Sequence, residues 1–413
     1  MMNISPPNAA NRRTDSSPNL SDTGLLLKQL IKRLQPLQLS ALQLQLLDGR
    51  VIQLGHAEPG IEIPRLALHR QRAILRGLFG GLLGWAESFM AGDWSTPNLI
   101  SLTNWAMHNE ARLKQAFGGS GIAKTLNRIW HRLRDNSKRG SRRNIAYHYD
   151  LGNDFYQLWL DDTMSYSAAL FEHPGLSLEQ AQQAKYNRIL ALATPCHGDS
   201  ILEIGCGWGG FAETVAQRSD LTLHGITLSH QQLRWAQQRM QQLNAAQQIE
   251  LEYLDYRDLN RTYDRVVSIE MFEAVGEAHW PTYFQTLKRV LKPGGTAVLQ
   301  IICIDEPRFA SYRNNADFIQ RYIFPGGMLP SADCVRKLAA QHGFQMLSEQ
   351  EFGQDYATTL KLWREAFNRN WPTIEQQGYD RRFRRMWEYY LAYCESGFRH
   401  GAIDVRLFQL RKP

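Results

Sequence analysis

Cysteine and long apolar runs are scarce in this chain of 413 residues. The five cysteines form no C-x-x-C pair and no Cys/His cluster with the spacing of metal ligands. That pattern favours a reducing compartment and argues against a structural metal. No stretch approaches the ~18–20 consecutive apolar residues of a membrane span, and the N-terminus has no apolar segment typical of a secretory signal. We therefore expect a cytoplasmic protein without a structural metal or a membrane-spanning helix.

Acidic residues are outnumbered by basic ones, 40 against 47, so the formal net charge is +7. A positive excess favours anionic partners, either phospholipid headgroups or nucleic acid. Because no recognised nucleic-acid-binding motif accompanies the charge, we expect no nucleic-acid partner. The length also exceeds the ~250–300 residues at which single cores stop growing, which predicts two domains.

The first part of the chain is predicted to hold a tail and a small domain. Residues 1–23 are rich in Pro, Asn and Ser, which is typical of a disordered tail. Residues 24–117 are predicted to form a smaller domain. Its expected elements are a helix over residues 25–34, a hairpin around Asp48-Gly49 and a helical stretch from Leu68 to Met90.

Residues 118–143 are predicted to form a basic linker. They begin with Gly118-Gly119-Ser120-Gly121 and end in a cluster of Lys and Arg. Between these ends, Ile129, Trp130 and Leu133 are interleaved with arginines. This pattern is typical of an amphipathic element on an anionic membrane surface. A solvated helix with a flexible tether is an equal alternative.

Residues 144–413 alternate between predicted strands and helices at the spacing of a parallel, doubly wound α/β sheet. The predicted strands are 200–204, 221–226, 249–254, 263–269 and 295–302, and the predicted helices are 186–193, 211–218, 230–242 and 280–291. Two last strands, 344–352 and 403–410, follow, and the second is expected to be antiparallel at an edge. In such sheets, ligands bind at the C-terminal ends of the strands.

A glycine-rich turn follows the first of these strands. Gly205, Gly207 and Gly209 come directly after Glu203-Ile204, and a helix follows. The spacing is not the G-x-G-x-x-G dinucleotide fingerprint. It fits the E/D-x-G-x-G loop of S-adenosylmethionine (SAM) methyltransferases, in which the acid before the loop lies close to the cofactor. The alternative is a turn that only closes a strand–helix unit.

The ends of the next three strands also carry groups suited to a nucleotide or to catalysis. They are Thr227, Leu228 and Gln232 after the second strand, Asp255, Tyr256 and Arg257 after the third, and Glu270 and Glu273 after the fourth. The first group is expected to bond ribose hydroxyls. We expect Asp255 to accept from an adenine amino group and Tyr256 to stack. Two acids at a buried strand end suit either chemistry or helix N-terminal capping.

Seven short motifs occur in order in the second domain. They are YHYDLGNDFY (147–156), MSYS (164–167), EIGCGWGG (203–210), GITLSHQQ (225–232), MFEAVG (271–276), YIFPGGMLP (322–330) and DYATTL (355–360). On these motifs the chain resembles the cyclopropane-fatty-acyl-phospholipid synthase family, which includes the mycolic acid cyclopropane synthases. Residues 25–113, with ESFMAGDW at 87–94, resemble the N-terminal lipid-carrier-like domain of the bacterial phospholipid enzymes.

The resemblance implies a Rossmann-like class I SAM methyltransferase domain preceded by a smaller α+β lipid-carrier-like domain. It also implies SAM as methyl donor, the cis double bond of a phospholipid acyl chain as acceptor, and a homodimer bound peripherally to the inner membrane face. The residues expected to bind the cofactor are Tyr166, Ser167, Glu203, Gly205, Cys206, Gly207, Gly209, Thr227, Leu228, Gln232, Asp255, Tyr256, Arg257 and Glu270. The aromatic candidates for stabilising a carbocation are Phe155, Tyr156, Tyr166, Phe171, Tyr322 and Tyr356.

The chain departs from this family at the position of the base. Many members hold a bicarbonate ion with a Cys, a Glu, a His and a Tyr. Glu273 and Tyr356 match two of these catalytic positions, whereas Ala168 and Gln300 stand where the Cys and the His are expected. Bicarbonate is therefore a doubtful cofactor, and Glu273, with a pKa raised by burial, is a candidate base. A methyl-branched unsaturated chain is the alternative to a cyclopropane ring.

Two other functions compete with this interpretation. Plant small-molecule N-methyltransferases share the scaffold, but a small soluble amine requires neither an N-terminal domain nor a basic linker. A SAM- or lipid-binding protein without catalysis would result if the missing Cys and His were indispensable. Glu273, Tyr356 and the complete glycine loop favour an enzyme.

Overall fold

The computed structural model describes residues 24–116, 151–314 and 317–413, together with Lys138 and Gly140. The predicted tail, 1–23, lies outside the described residues. So does the predicted basic linker, 118–143, apart from those two positions. Among the described residues, no helix is both long and apolar enough to cross a membrane.

The N-terminal region builds four helices around a small mixed sheet. Its elements are α1 (Leu25–Leu34), β1 (Leu42–Gln45), β2 (Val51–Leu54), β3 (Arg65–Leu68), α2 (Arg72–Met90), β4 (Trp94–Ser95), α3 (Leu99–His108) and α4 (Glu110–Ala116). The strand order is β2-β1-β3-β4, with β1 and β3 parallel. The predicted hairpin is confirmed, because β1 pairs antiparallel with β2 across Asp48-Gly49. The predicted start of the long helix was wrong, since Leu68 ends β3 and α2 begins only at Arg72.

The second region is built on a seven-stranded sheet in the order β10-β11-β9-β8-β5-β6-β7. Its elements up to the fifth strand are α5 (Asn153–Tyr156), α6 (Leu178–Ala193), β5 (Ser200–Ile204), α7 (Gly210–Ala216), β6 (Thr222–Thr227), α8 (His230–Gln242), β7 (Ile249–Tyr253), β8 (Tyr263–Ile269), α9 (Trp280–Val290) and β9 (Leu291–Ile304). Strands β5 to β9 are parallel. The predicted doubly wound sheet is confirmed, with most bounds within two residues. The largest differences are α6, which starts eight residues earlier than predicted, and β9, which starts four earlier.

The C-terminal part contains more helix than the sequence analysis anticipated. Its elements are α10 (Glu306–Tyr312), α11 (Phe318–Tyr322), α12 (Ala332–Gln341), β10 (Gln345–Glu351), α13 (Gly353–Arg369), α14 (Trp371–Gln376), α15 (Arg381–Arg399) and β11 (Ile403–Arg411). Strand β11 is antiparallel, as predicted, but it lies between β9 and β10 rather than at an edge. Burial on both faces explains this place, because neighbouring Leu407 and Phe408 are both almost completely buried.

The two regions are in contact through α15, which packs against α2 and α3. The Tyr322 hydroxyl donates to the Glu87 carboxylate at 2.7 Å, and the hydroxyls of Thr103 and Ser396 lie 2.7 Å apart. Most buried side chains of the N-terminal region form a core of their own, but Ala86 and Met90 of α2 belong to the core of the second region. Helix α2 therefore links the smaller region to the larger one.

Candidate active site

The glycine loop follows β5 at the carboxyl edge of the parallel sheet. Gly205, Gly207 and Gly209 have φ angles of 87°, 52° and 86°, a backbone region in which a side chain is strained. The loop leads directly into α7, whose first amides point toward it. A Cβ at Gly207 would meet no heavy atom within 4 Å, so the backbone there borders open space. This is the geometry in which a backbone approaches a ligand closely.

Glu203 supports the assignment of a cofactor to this loop. Its side chain is buried, and burial raises the pKa of this carboxyl to about 8, against the opposing charge of Lys185. The Oε2 atom is buried without a hydrogen-bond partner among the described residues. An unsatisfied buried acceptor is costly, and a donor from a bound molecule would satisfy it. SAM carries such donors on its amino group and its ribose, so the loop and Glu203 fit that cofactor.

The next strand ends place the remaining predicted nucleotide contacts along the same edge. The hydroxyl of Thr227 donates to Gln232 at 3.1 Å, and both are buried. Leu228, beside them, is half-buried. Cys206 is buried within the loop, where burial raises the pKa of its thiol well above its usual value.

Asp255 is already engaged with Arg257. The guanidinium donates to both carboxylate oxygens, at 2.8 and 2.7 Å. Burial alone would raise the pKa of Asp255, but these bonds and the Arg257 backbone amide lower it below its usual value. Tyr256 is buried, and its hydroxyl has no partner among the described residues. The pair therefore presents a fixed, ionised carboxylate next to an aromatic ring.

Three of the predicted site residues, Ala168, Gln300 and Tyr356, donate hydrogen bonds to the carboxylate of a fourth, Glu270. Its Oε1 accepts from the backbone amide of Ala168 at 2.8 Å and from Nε2 of Gln300 at 2.7 Å. Its Oε2 accepts from the Tyr356 hydroxyl at 2.8 Å. Glu270 has a φ of 49°, and a non-glycine residue in this region carries strain of about 1–3 kcal/mol that typically persists at functional sites.

Glu273 lies close by but is held differently. Its Oε1 accepts from the backbone amide of Ile302 at 2.5 Å, and its Oε2 is buried without a partner among the described residues. Burial, with the charge of Glu270, raises the pKa of Glu273 to about 8. Burial also raises the pKa of Glu270, but three hydrogen bonds and the charge of Lys185 oppose that rise. Glu270 receives three hydrogen bonds that stabilise its charged form, whereas Glu273 receives one and feels the charge of Glu270. Ionisation of the pair therefore favours Glu270 over Glu273.

Sequence reasoning missed Lys185, the positive charge of this site. Its ammonium donates to the Ser167 hydroxyl at 2.7 Å and is completely buried on α6. Burial lowers the pKa of Lys185 to about 8, against the opposing charges of Glu270, Asp161 and Glu203. The sequence does contain a signal for it: Lys185 stands at an apolar position of the helical pattern, on the same buried face as Ala181 and Ile189, four residues away in each direction.

Aromatic rings surround the Glu270 carboxylate on the side of α13. The Trp363 ring lies 5.3 Å from that of Tyr166 and 6.1 Å from that of Tyr356. Phe155 and Tyr156 are fully buried in the core behind them, and Phe171 is half-buried. Tyr322 instead bonds Glu87 of α2. Of the predicted aromatic candidates, Tyr356 bonds the Glu270 carboxylate directly, and Tyr166 lies beside it across the Trp363 ring.

Among the described residues, one group has the spacing of metal ligands: His224, Glu250 and Glu252, with ligand atoms within 4.8 Å of one another. Its members already have protein partners. His224 Nδ1 is 2.6 Å from the Tyr263 hydroxyl, and Glu250 pairs with Arg261 at 2.6 Å. This group lies within β6 and β7 rather than at the strand ends that form the site.

The parallel sheet, the glycine loop and the buried acids define a SAM-dependent methyltransferase. A sequence profile of the family described as Mycolic acid cyclopropane synthetase matches residues 136–408, about two thirds of the chain. The chain belongs to this family, and the predicted family resemblance is confirmed.

Characterised relatives share most of the chain. It is 38% identical over 371 residues to the tuberculostearic acid methyltransferase UfaA1 of Mycobacterium tuberculosis. This alignment covers 85% of the present chain and 83% of that protein. It is 36% identical over 347 residues to the cyclopropane-fatty-acyl-phospholipid synthase of Escherichia coli, covering 81% of this chain and 84% of that protein. The crystal structure of the mycolic acid cyclopropane synthase CmaA1 with SAH and CTAB superposes with a TM-score of 0.62 at 31% identity, over 66% of this chain and 98% of that one.

Glu273→Gln is expected to flatten the dependence of stability on pH. With a pKa of about 8 against 4.5 for an ordinary Glu, the folded chain keeps a proton that the unfolded chain loses, so this carboxyl lowers stability as pH rises from 4.5 to 8. The slope per proton is at most about 1.4 kcal/mol per pH unit. Thermal melts between pH 5 and 9 test this, with exposed Glu172→Gln as control. A variant curve parallel to that of the wild type would contradict the burial argument.

Proposed function

We propose that this chain transfers a methyl group from SAM to the cis double bond of an unsaturated acyl chain of a membrane phospholipid, and that Glu270 removes the proton that completes the reaction. One observation supports the choice of base: Ala168, Gln300 and Tyr356 all direct hydrogen-bond donors at the Glu270 carboxylate. All three of these positions are those at which the family resemblance implied ligands of bicarbonate. A carboxylate of the protein thus takes the place expected for the small anion.

The reaction requires that the site bind SAM, hold the alkene in line with the methyl group, and exclude water. SAM supplies an electrophilic methyl group on a positively charged sulfur. An alkene is a weak nucleophile, so the chain must hold the reacting carbons in line in a site from which water is excluded. The glycine loop and Glu203 bind SAM, and the aromatic side chains around Trp363 exclude water.

Addition of a methyl group to one alkene carbon leaves a positive charge on the other. The faces of Tyr166 and Tyr356 can stabilise such a charge by cation–π attraction, worth ~2 kcal/mol or more in a desolvated site. Loss of one proton then restores neutrality, and the ionised Glu270 carboxylate accepts it. Glu273, protonated at neutral pH, is less suited to this role than Glu270.

The C–H bond that lies nearest to Glu270 decides between two products. Loss of a proton from the added methyl group closes a cyclopropane ring, as the C–H electrons form the third carbon–carbon bond. Loss from a neighbouring chain carbon forms a new double bond and gives a methyl-branched unsaturated chain. The Glu270 carboxylate is fixed to the chain, so it cannot move toward the added methyl group as a free anion can. This favours the methyl-branched unsaturated product. A 38% identical relative carries the name of a tuberculostearic acid methyltransferase.

The test is incubation of the purified protein with methyl-labelled SAM and liposomes of a mono-unsaturated phospholipid. The released fatty acids are analysed by mass spectrometry with derivatisation of double bonds. Label in a cyclopropane ring or in a methyl-branched chain supports the proposal and identifies the product. Binding of SAM without label in any acyl chain would contradict it and favour a binding protein without catalysis.

We further propose that the protein works at the surface of an anionic membrane, since its acceptor is a membrane lipid. The basic linker at residues 118–143, of which the structure describes only Lys138 and Gly140, remains the contact that the sequence predicts. Binding to phosphatidylglycerol liposomes that weakens with added salt is the expected result.

A further inference from the structure

The most apolar stretch of the sequence folds into a helical hairpin. Helix α2 is interrupted at Gly81, which has φ 63° and ψ −147°. The two limbs, 72–80 and 82–90, lie against each other. A Cβ at Gly77 would be 2.3 Å from the indole of Trp85, and one at Gly84 would be 2.0 Å from the carbonyl oxygen of Arg76. Glycine is therefore required at the turn and along the contact between the limbs.

The tip of this hairpin exposes large apolar side chains. Phe79 is 64% exposed, Leu82 41% and Leu75 38%. Gly80, between them, faces open space, since a Cβ there would meet no heavy atom within 4 Å. Large exposed apolar side chains close together on one hairpin are typical of a surface that is covered in use.

A basic collar lies behind the tip, formed by Arg70, Arg72 and Arg76. All three contact the fully buried carboxylate of Asp93, at 3.4, 2.7 and 3.2 Å. Three positive charges against one negative charge leave a local excess of two. The guanidiniums remain 57%, 48% and 39% exposed, so this excess faces the solvent. Apolar side chains in front of cations complement a bilayer, with its acyl region behind anionic headgroups.

The second limb of the hairpin leads to the candidate active site. Ala86 and Met90 belong to the same core as Tyr356. Glu87 accepts from the hydroxyl of Tyr322 at 2.7 Å, and the Tyr322 ring packs against that core. The second limb of the hairpin thus packs on the core that also contains Tyr356, whose hydroxyl bonds Glu270.

We propose that the turn of the hairpin, which carries Phe79 and Leu82, inserts into the headgroup region of a bilayer that contains anionic phospholipid, while the basic collar binds the headgroups. This inference rests on the proposed acyl-chain acceptor, which must be reached in a membrane. It assigns membrane contact to a structured element of the N-terminal region, separate from the predicted linker.

The test is Phe79→Ser/Leu82→Ser in the full chain, compared with the wild type on liposomes of phosphatidylcholine and phosphatidylglycerol. Loss of two large apolar contacts is expected to weaken vesicle binding roughly 10- to 100-fold. Methylation of vesicle lipid should fall in parallel, whereas methylation of the same lipid dispersed in detergent should stay within about twofold of wild type. Phe79→Trp, which keeps the apolar tip, should bind like the wild type. Leu243→Ser, which alters a 45% exposed leucine at the end of α8, is the matched control.

Unchanged vesicle binding by the double variant would overturn the inference, as would equal losses in detergent and on vesicles. A change in oligomeric mass with unchanged vesicle binding would assign the tip to a contact between copies of the chain and would also overturn it. Failure of the proposed function gives a different result: no acyl chain is methylated in either form, whatever the binding of the variants.

Discussion

Glu270→Gln is expected to lower kcat by roughly 10²–10⁴-fold, the range typical of a lost general base. The amide keeps the size of the carboxylate, and its single oxygen can still accept from the Ala168 amide. Its NH2 group then faces the Tyr356 hydroxyl, whose oxygen can accept from it. The amide cannot take up a proton. Single-turnover methylation of dispersed lipid measures the chemical step. SAM affinity, measured by calorimetry, should change less than tenfold, which separates loss of the base from loss of the cofactor.

Glu273→Gln is the matched control for this prediction. It removes a carboxyl a short distance away that is buried to the same degree and receives a single backbone hydrogen bond. We expect it to lower kcat less than tenfold at pH 7, because this carboxyl is already protonated there. The opposite order of effects would place the base at Glu273.

Glu270→Gly provides a second, independent check. The φ of 49° at this position suits glycine, so relief of about 1 kcal/mol of backbone strain offsets only part of the cost of leaving three donors without their acceptor. Activity should be lost, and the space left between Gln300 and Tyr356 should admit a small carboxylate. Formate or bicarbonate added at millimolar concentration is therefore expected to restore part of the rate and of the lost thermal stability. A folded variant that neither anion rescues would argue against this account of Glu270.

Lys185→Met is expected to move the acidic limb of the pH–rate profile to higher pH. The ammonium lowers the pKa values of Glu270 and Glu203, so its removal raises both. At pH values below the raised pKa, a larger fraction of Glu270 is protonated. The rate in this range falls about tenfold for each unit by which the pKa rises. Initial rates between pH 6 and 9.5 measure the shift, and higher pH should restore most of the lost activity.

Ser167→Ala separates the charge of Lys185 from its hydrogen bond. This change removes the acceptor of the ammonium but leaves the positive charge in place. The acidic limb of its pH–rate profile should therefore lie at the same pH as that of the wild type, even if the maximal rate is lower. If Lys185→Met only lowered the melting temperature and left the profile unmoved, the lysine would have a purely structural role.

The sequence by itself determined the parallel sheet and its ligand-binding edge, because both depend on local order along the chain. Strand, glycine turn and helix at Ile204 to Gly210 are one continuous segment, and the alternation of elements that follows leaves little freedom of topology. The helices α13 to α15 were missed. They lie between the last two strands. Their helical periodicity is weaker in the sequence than the strand patterns on either side, so only the strands were predicted.

The tertiary structure alone decided which partners the two acids have. From the sequence, Glu270 and Glu273 were two carboxylates three residues apart, and the base was sought at Glu273 by resemblance. Only the folded chain brings the Ala168 amide, Gln300 and Tyr356, from 102, 30 and 86 residues away, to the Glu270 carboxylate. Hydrogen bonds of such long range depend on the packing of distant elements. The same holds for the hairpin of α2, where four glycines in sequence showed flexibility but not the exposed apolar tip.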